Sequence, residues 1–125
     1  MTRQSYTAPD GPPAAGPYSP AVGDGDLIFL SGQIALGADG ATIGETVADQ
    51  ARAALENMRS LLAAAGCDMD AVCKTTIFLT DMADFAAVNE VYADYFDAPY
   101  PARSTVAVAA LPLGVKVEID AIAVR

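Results

Sequence analysis

The run Val115–Val124, VKVEIDAIAV, alternates apolar and charged residues through Asp120 and then becomes wholly apolar. A period of two marks a β-strand with one buried face, because successive side chains point to opposite sides of the backbone. Val115, Val117, Ile119, Ala121 and Ala123 fall on one face, and Lys116, Glu118, Asp120, Ile122 and Val124 on the other. The first face needs a cover of helices. The second, part charged and part apolar, needs a separate explanation.

Two segments can supply the cover. In the first, Thr46 stands three residues before Asp49, close to a capping box. Val47, Ala51, Leu55, Met58, Leu62 and Ala65 then recur at steps of three and four, forming one apolar stripe that ends at Gly66. Asp49, Arg52, Glu56 and Arg59 lie on another face, spaced to pair along it. The second helix opens at Asp81-Met82-Ala83-Asp84, turns Phe85, Val88, Tyr92 and Phe96 inward, and stops before Pro99 and Pro101. Further strands are predicted over Asp26–Ile34, Val72–Thr80 and Ser104–Ala110, with a short extra one around Tyr18–Val22. Leu36–Gly44 reads as a loop, from its glycines and Asp39-Gly40.

The resulting order, β-α-β-α-β-β, is an α/β (α+β) arrangement with both helices on one face of a mixed sheet. It makes one domain of residues 1–125, in which 1–17, rich in Pro, Ala and Gly, form an extended arm. If Leu111-Pro112-Leu113-Gly114 is a hairpin turn pairing Ala110 with Val115, Arg103, Thr105, Ala107 and Ala109 join Glu118 on the second sheet face. Arg103 and Glu118 are then offset by about four residues, ~13 Å along the strand. No third helix is available for that face, so its apolar half calls for a second copy of the chain.

Composition decides which chemistry this face could carry. The chain has no His, which removes Ser-His-Asp and Cys-His nucleophiles, a His-based zinc site and an imidazole proton shuttle. Its two cysteines, Cys67 and Cys73, are too few for an all-cysteine zinc site and read as free, buried thiols. Neither a metal nor a cofactor is expected, and the glycines lack the strand-to-helix setting of a phosphate loop. Seven Lys and Arg against 16 Asp and Glu, a net charge of −9, make a poor footprint for nucleic acid or an anionic membrane. No stretch approaches the ~20 apolar residues of a bilayer span. The N-terminus lacks the apolar run of a signal peptide, so a cytoplasmic location is expected.

Carboxylates, Arg, Tyr, Ser, Thr and the backbone remain. Arg103, just after Pro101-Ala102, offers a fork suited to a carboxylate, and Glu118 is an unexpected filler among Val, Ile and Ala. The two make either a structural ion pair at a wet edge or the ends of a site for a small carboxylated ligand. Tyr18 is a pocket lid or a surface anchor. Ser31-Gly32, at a strand's end, is a backbone contact for a ligand or a bulge. Asn89 reads as a hydrogen bonder that tethers a loop.

Several blocks together resemble the RidA/YjgF (reactive intermediate deaminase) family: Gly16-Pro17-Tyr18-Ser19-Pro20, Phe29-Leu30-Ser31-Gly32-Gln33-Ile34, Leu79 to Phe85, Val88-Asn89, Pro101 to Val106 and Val117 to Val124. The likeness runs from about Ala8 to Arg125. It implies a chorismate-mutase-like fold and a homotrimer whose sheets face the trimer core, with active sites in the clefts between subunits. It also implies hydrolysis of 2-imino acids, such as 2-iminopropanoate and 2-iminobutanoate, to 2-oxo acids and ammonia. The family's carboxylate-binding arginine falls on Arg103 and its water-activating glutamate on Glu118. Its pocket tyrosine falls on Tyr18, its serine-glycine contact on Ser31 and Gly32, and a backbone contact on Thr105. Pro20 and Leu113 depart from the family's frequent Gln and Lys, which bears on substrate preference rather than on the reaction. Two other functions are compatible with the resemblance: a non-catalytic ligand-binding or chaperone-like trimer, and an endoribonuclease or translation inhibitor.

Overall fold

The alternation along the last segment is realised in the computed structural model, which describes residues 2–125; residue 1 of the arm lies outside them. In chain order the strands are β1 (Gln4–Tyr6), β2 (Ala21–Asp24), β3 (Leu27–Gln33), β4 (Val72–Leu79), β5 (Ala102–Ala107) and β6 (Val117–Val124). Helix α1 (Val47–Ala64) joins β3 to β4, and α2 (Phe85–Tyr92) joins β4 to β5. The strands form one mixed sheet in the order β1-β2-β3-β6-β4-β5.

The cover is the predicted one. Thr46 accepts the Asp49 backbone N–H at 3.1 Å, and Gly66 leaves the helix end at φ 82°. All six residues of the apolar stripe are buried, against Ile28, Leu30, Val117, Ile119, Ala121 and Ala123 of the sheet. Of the predicted pairs on the other face, Arg59 meets Glu56 at 3.2 Å, whereas Arg52 reaches across to Asp94 beyond α2. The second helix is shorter than predicted. Asp81 caps a 3-10 turn, Met82–Asp84, so α2 begins at Phe85 and ends at Tyr92. Phe96 lies beyond the helix but remains buried, its ring 4.5 Å from that of Tyr92.

The predicted hairpin between the last two strands does not form. β5 pairs in parallel with β4, and β6 pairs antiparallel with β4 and β3, between them. The helix explains the first pairing: α2 carries the chain back to the end where β4 began, so the next strand runs parallel to it. The second follows from backbone satisfaction. Between β3 and β4, β6 completes two hydrogen-bond ladders, where a hairpin on β5 would leave it one. The segment Leu111–Gly114 is therefore part of a connection rather than a tight turn, with Pro112–Gly114 in a 3-10 turn and Leu113 at φ 58°.

This pairing changes the faces. Arg103, Thr105 and Ala107 stand level with Thr75, Ile77 and Leu79, which point toward the helices, so they lie on the covered face and not beside Glu118. The open face instead joins Glu118, Asp120, Ile122 and Val124 to Lys74, Thr76 and Phe78 of β4, Val106 of β5, and Leu27 and Phe29 of β3. Leu27, Phe29, Val106 and Val124 are all more than two fifths exposed there. The open face and its β6 residues were expected; the neighbours from β3, β4 and β5 were not. Cys73 also departs from expectation. It sits at a register shift between Val72 and Lys74 and is exposed, while Cys67 is half-buried; both thiols are free.

Candidate functional site

Glu118 owes its place to irregularity in β3. Leu30 pairs with Ala121 and Gln33 with Ile119, three steps on β3 against two on β6, so Ser31 and Gly32 form a bulge. The bulge lets the Glu118 carboxylate approach the backbone of Gly32. A methyl group at Gly32 would overlap that carboxylate and meet Glu118 Cδ at 2.6 Å. Here the lack of a side chain is a requirement of the site. The Ser31 hydroxyl donates to the Ser19 carbonyl at 2.7 Å and the Ser31 N–H to that of Pro20 at 2.9 Å. Ser31 thus ties down the segment that holds Tyr18, a residue 54 % exposed.

Tyr18, Ser31, Gly32 and Glu118 line one cleft of about 580 Å3, together with Pro12–Ala15 of the arm, Ile34, Leu36 and Pro112-Leu113. Two buried or half-buried amides brace it from α1. Asn57 donates to the carbonyls of Ile34 and Leu36 at 3.0 and 2.9 Å. Gln50 accepts the Lys116 N–H at 2.8 Å, fixing the chain two residues before Glu118. Burial pushes the Glu118 carboxyl above its ordinary value of 4.5, and the neighbouring Asp120 charge adds to the rise.

Arg103 occupies the other face of the sheet. Its guanidinium lies over the rings of Tyr92 and Phe85, 4.9 and 5.5 Å from their centroids. The Tyr92 hydroxyl is bonded at 2.8 Å to the buried hydroxyl of Thr75, the residue level with Arg103 on β4. Burial raises the Tyr92 phenol, against opposing effects of the Thr75 bond and the Arg103 charge. A second cleft, of about 310 Å3, is lined by Arg103, Tyr92, Asn89, Ala93, Tyr100 and Pro101. Among the described residues Arg103 and Glu118 take part in no ion pair, so the structural pair that spacing allowed is absent. Two buried side-chain oxygens also lack a hydrogen-bond partner: Oδ1 of Asn89 and Oγ1 of Thr105. Both belong to residues on the Arg103 side, and such groups are costly to leave unmet.

The structure thus unites Tyr18, Ser31, Gly32 and Glu118, sets Arg103 and Thr105 apart from them, and divides the two sets by the thickness of a sheet. It adds Tyr92, Phe85 and Asn89 to the Arg103 side. Their spacing on α2, at 85, 89 and 92, was a legible helical stripe. Nothing in the sequence singled out Gln50 and Asn57, because their partners are backbone groups far away in the chain. Among the described residues no three His, Cys, Asp or Glu side chains converge to hold a metal ion, and no helix is long and apolar enough to cross a membrane.

The family profile described as "Endoribonuclease L-PSP" matches residues 8–125. A chloroplastic Reactive Intermediate Deaminase A of Arabidopsis thaliana is 53% identical over 90% of the chain, which spans 60% of that protein's length. A mouse 2-iminobutanoate/2-iminopropanoate deaminase is 46% identical over 100% of the chain and 93% of its own length. The crystal structure of E. coli TdcF with bound serine superposes with a TM-score of 0.92 at 46% identity, covering 98% of each chain.

Proposed function

The chain belongs to the endoribonuclease L-PSP family, the RidA/YjgF proteins, and we propose that it is a hydrolytic deaminase of 2-imino acids such as 2-iminopropanoate and 2-iminobutanoate. One observation carries the reading: an unpaired arginine and an unpaired carboxyl of raised pKa stand on opposite faces of one sheet, each beside an open cleft. The active site then needs two copies, with Arg103 of one facing Glu118 of the next. A homotrimer, with the open sheet faces turned to its core, supplies three such sites. The exposed Leu27, Phe29, Val106 and Val124 support burial of that face against other copies.

The chemistry follows from the charges. Arg103 holds the substrate carboxylate through paired N–H donors, and the aromatic shelf of Phe85 and Tyr92 fixes the guanidinium plane. The imine carbon is already electrophilic, so no covalent nucleophile is required. Glu118 takes a proton from water as the oxygen bonds to that carbon, which leaves a tetrahedral amino alcohol. Glu118 then returns the proton to nitrogen. As the C–N bond breaks, the hydroxyl proton passes to the Glu118 carboxylate while the oxygen lone pair forms the C=O bond, releasing ammonia and the 2-oxo acid. The proton then leaves with the ammonia as ammonium. A carboxyl raised by burial suits both steps, because an acid-base group works best with a pKa near the working pH. Tyr18, Ser31 and Gly32 form the wall from which Glu118 acts. The net charge of −9 leaves nucleic acid outside this reading despite the family's name.

The test couples a threonine dehydratase to the protein and traps surviving imine with semicarbazide. Wild-type protein is expected to lower the trapped fraction, and Glu118→Ala is not. If wild type leaves the trapped fraction unchanged, the function reverts to ligand binding.

A further inference from the structure

The ladder between β3 and β6 ends at Gln33 opposite Ile119, and beyond that pair the two chains part. Ile34 and Leu36, which follow β3, and Leu113, which precedes β6, line the cleft there together with Glu118. Backbone groups that leave a ladder need other partners, and α1 supplies them from two side chains. Gln50 accepts the Lys116 N–H at 2.8 Å and donates to the Gly44 carbonyl at 3.2 Å. Asn57 donates to the carbonyls of Ile34 and Leu36. The two amides stand seven residues apart, about two turns, so they leave the helix on one side. Gln50 is 7 % exposed among the apolar residues of the buried helix face, where an amide is costly unless it is hydrogen-bonded. Here both of its ends are bonded.

Helix α1 therefore grips both parted chains beside the cleft. Gln50 holds the chain two residues before Glu118, and Asn57 holds the exit of β3 two residues after Gly32. The Glu118 carboxylate lies so close to Gly32 that no methyl group fits between them, so its position depends on how far apart these chains are kept. We propose that Gln50 and Asn57 are positioning residues of the reaction, which hold the parted ends of β3 and β6 at the spacing that keeps the Glu118 carboxylate against the bulge. Neither lines the cleft; they act through the backbone. The inference rests on the deaminase reading and extends its machinery into the helix layer.

Gln50→Met keeps the length of the side chain and removes both hydrogen bonds. It is expected to lower kcat about tenfold or more with less than about a threefold change in KM, because Arg103 of another copy still holds the substrate carboxylate. Gln50→Glu keeps an acceptor for the Lys116 N–H and is expected to recover kcat to within about threefold of wild type. Its buried carboxyl should nonetheless make it the less stable of the two variants. Activity that follows stability, an unchanged kcat in Gln50→Met, or a KM that rises in step with the loss overturns the proposal. Should Gln50→Met fail to fold, Asn57→Ala decides by the same kcat and KM criteria. If wild type is inert toward every imine, the deaminase reading fails, and the placement of Glu118 is judged without turnover. The carboxyl 13C signal that is lost in Glu118→Gln should titrate about 0.5 or more lower in pH in the folded amide variant than in wild type, as the carboxyl leaves its crowded place. Asp120, Lys116 and Lys74, the charged side chains on β6, its approach and β4, are unchanged by the substitution, as is Arg103 of the neighbouring copy, and β3 carries no charge. An unmoved midpoint overturns the proposal.

Discussion

Arg103 rests on rings supplied by a helix, whereas Glu118 packs against a glycine in a bulge that Ser31 ties to Ser19 and Pro20. The first arrangement fixes the plane of a guanidinium and aims it. The second crowds a carboxyl and makes its charge harder to form, raising its pKa chiefly through burial. A binding group and an acid-base group need these opposite treatments, and the sheet keeps them apart within one chain.

Glu118 gives the largest expected effect. Glu118→Gln should lower kcat by about 10²- to 10⁴-fold, the range lost with a general acid-base group. Its stability should move the other way. A carboxyl whose folded pKa lies above the unfolded value disfavours the ionised folded state, a cost present at neutral pH and relieved as pH falls through the folded pKa. The variant should therefore melt no lower than wild type at pH 7 by calorimetry, with any gain vanishing on acidification. For the same reason the acid limb of the wild-type kcat profile should lie above the ordinary carboxylate value of 4.5. A limb at or below 4.5 would contradict Glu118 as the base.

Arg103→Ala should lower kcat/KM by about 10²- to 10³-fold, as loss of one partner of a buried charge pair does, and light scattering should give it the same mass as wild type. Gly32→Ala sharpens the contrast from the other side. Its methyl group collides with the flexible end of Glu118 and not with backbone, so the fold should survive while the carboxylate is displaced. A misplacement of about 1 Å costs up to about 10²-fold in kcat, and KM should change much less. The smallest effect is expected at the shelf. Tyr92→Phe keeps the ring beneath Arg103 but strands the Thr75 hydroxyl, costing about 1–3 kcal/mol of stability with less than a tenfold change in KM.

How much of this was legible in the sequence follows the range of the signals. The cap at Thr46, the α1 stripe and the alternation around Glu118 are local patterns, and each appears where the sequence put it. The bulge at Ser31-Gly32 was one of two readings of that dipeptide, and the Glu118 approach explains it. Strand pairing was not legible. Sequence adjacency favoured a hairpin between β5 and β6, but the helix crossover and the second ladder open to β6 favoured another partner. That one error moved Arg103 to the wrong face and hid the division of the site. Phe85 and Tyr92 were visible as an inner helical face; their service to Arg103 depends on β5 lying at the edge beneath α2.

Subunit complementation tests the division most directly. Arg103→Ala and Glu118→Gln chains, each inactive alone, are mixed in equal amounts, unfolded and refolded together, and assayed for imine hydrolysis. If each site draws Arg103 from one copy and Glu118 from its neighbour, random trimers restore about a quarter of wild-type activity, because one neighbouring pair in four carries both intact residues. A site contained within one chain would leave the mixture as inactive as its components.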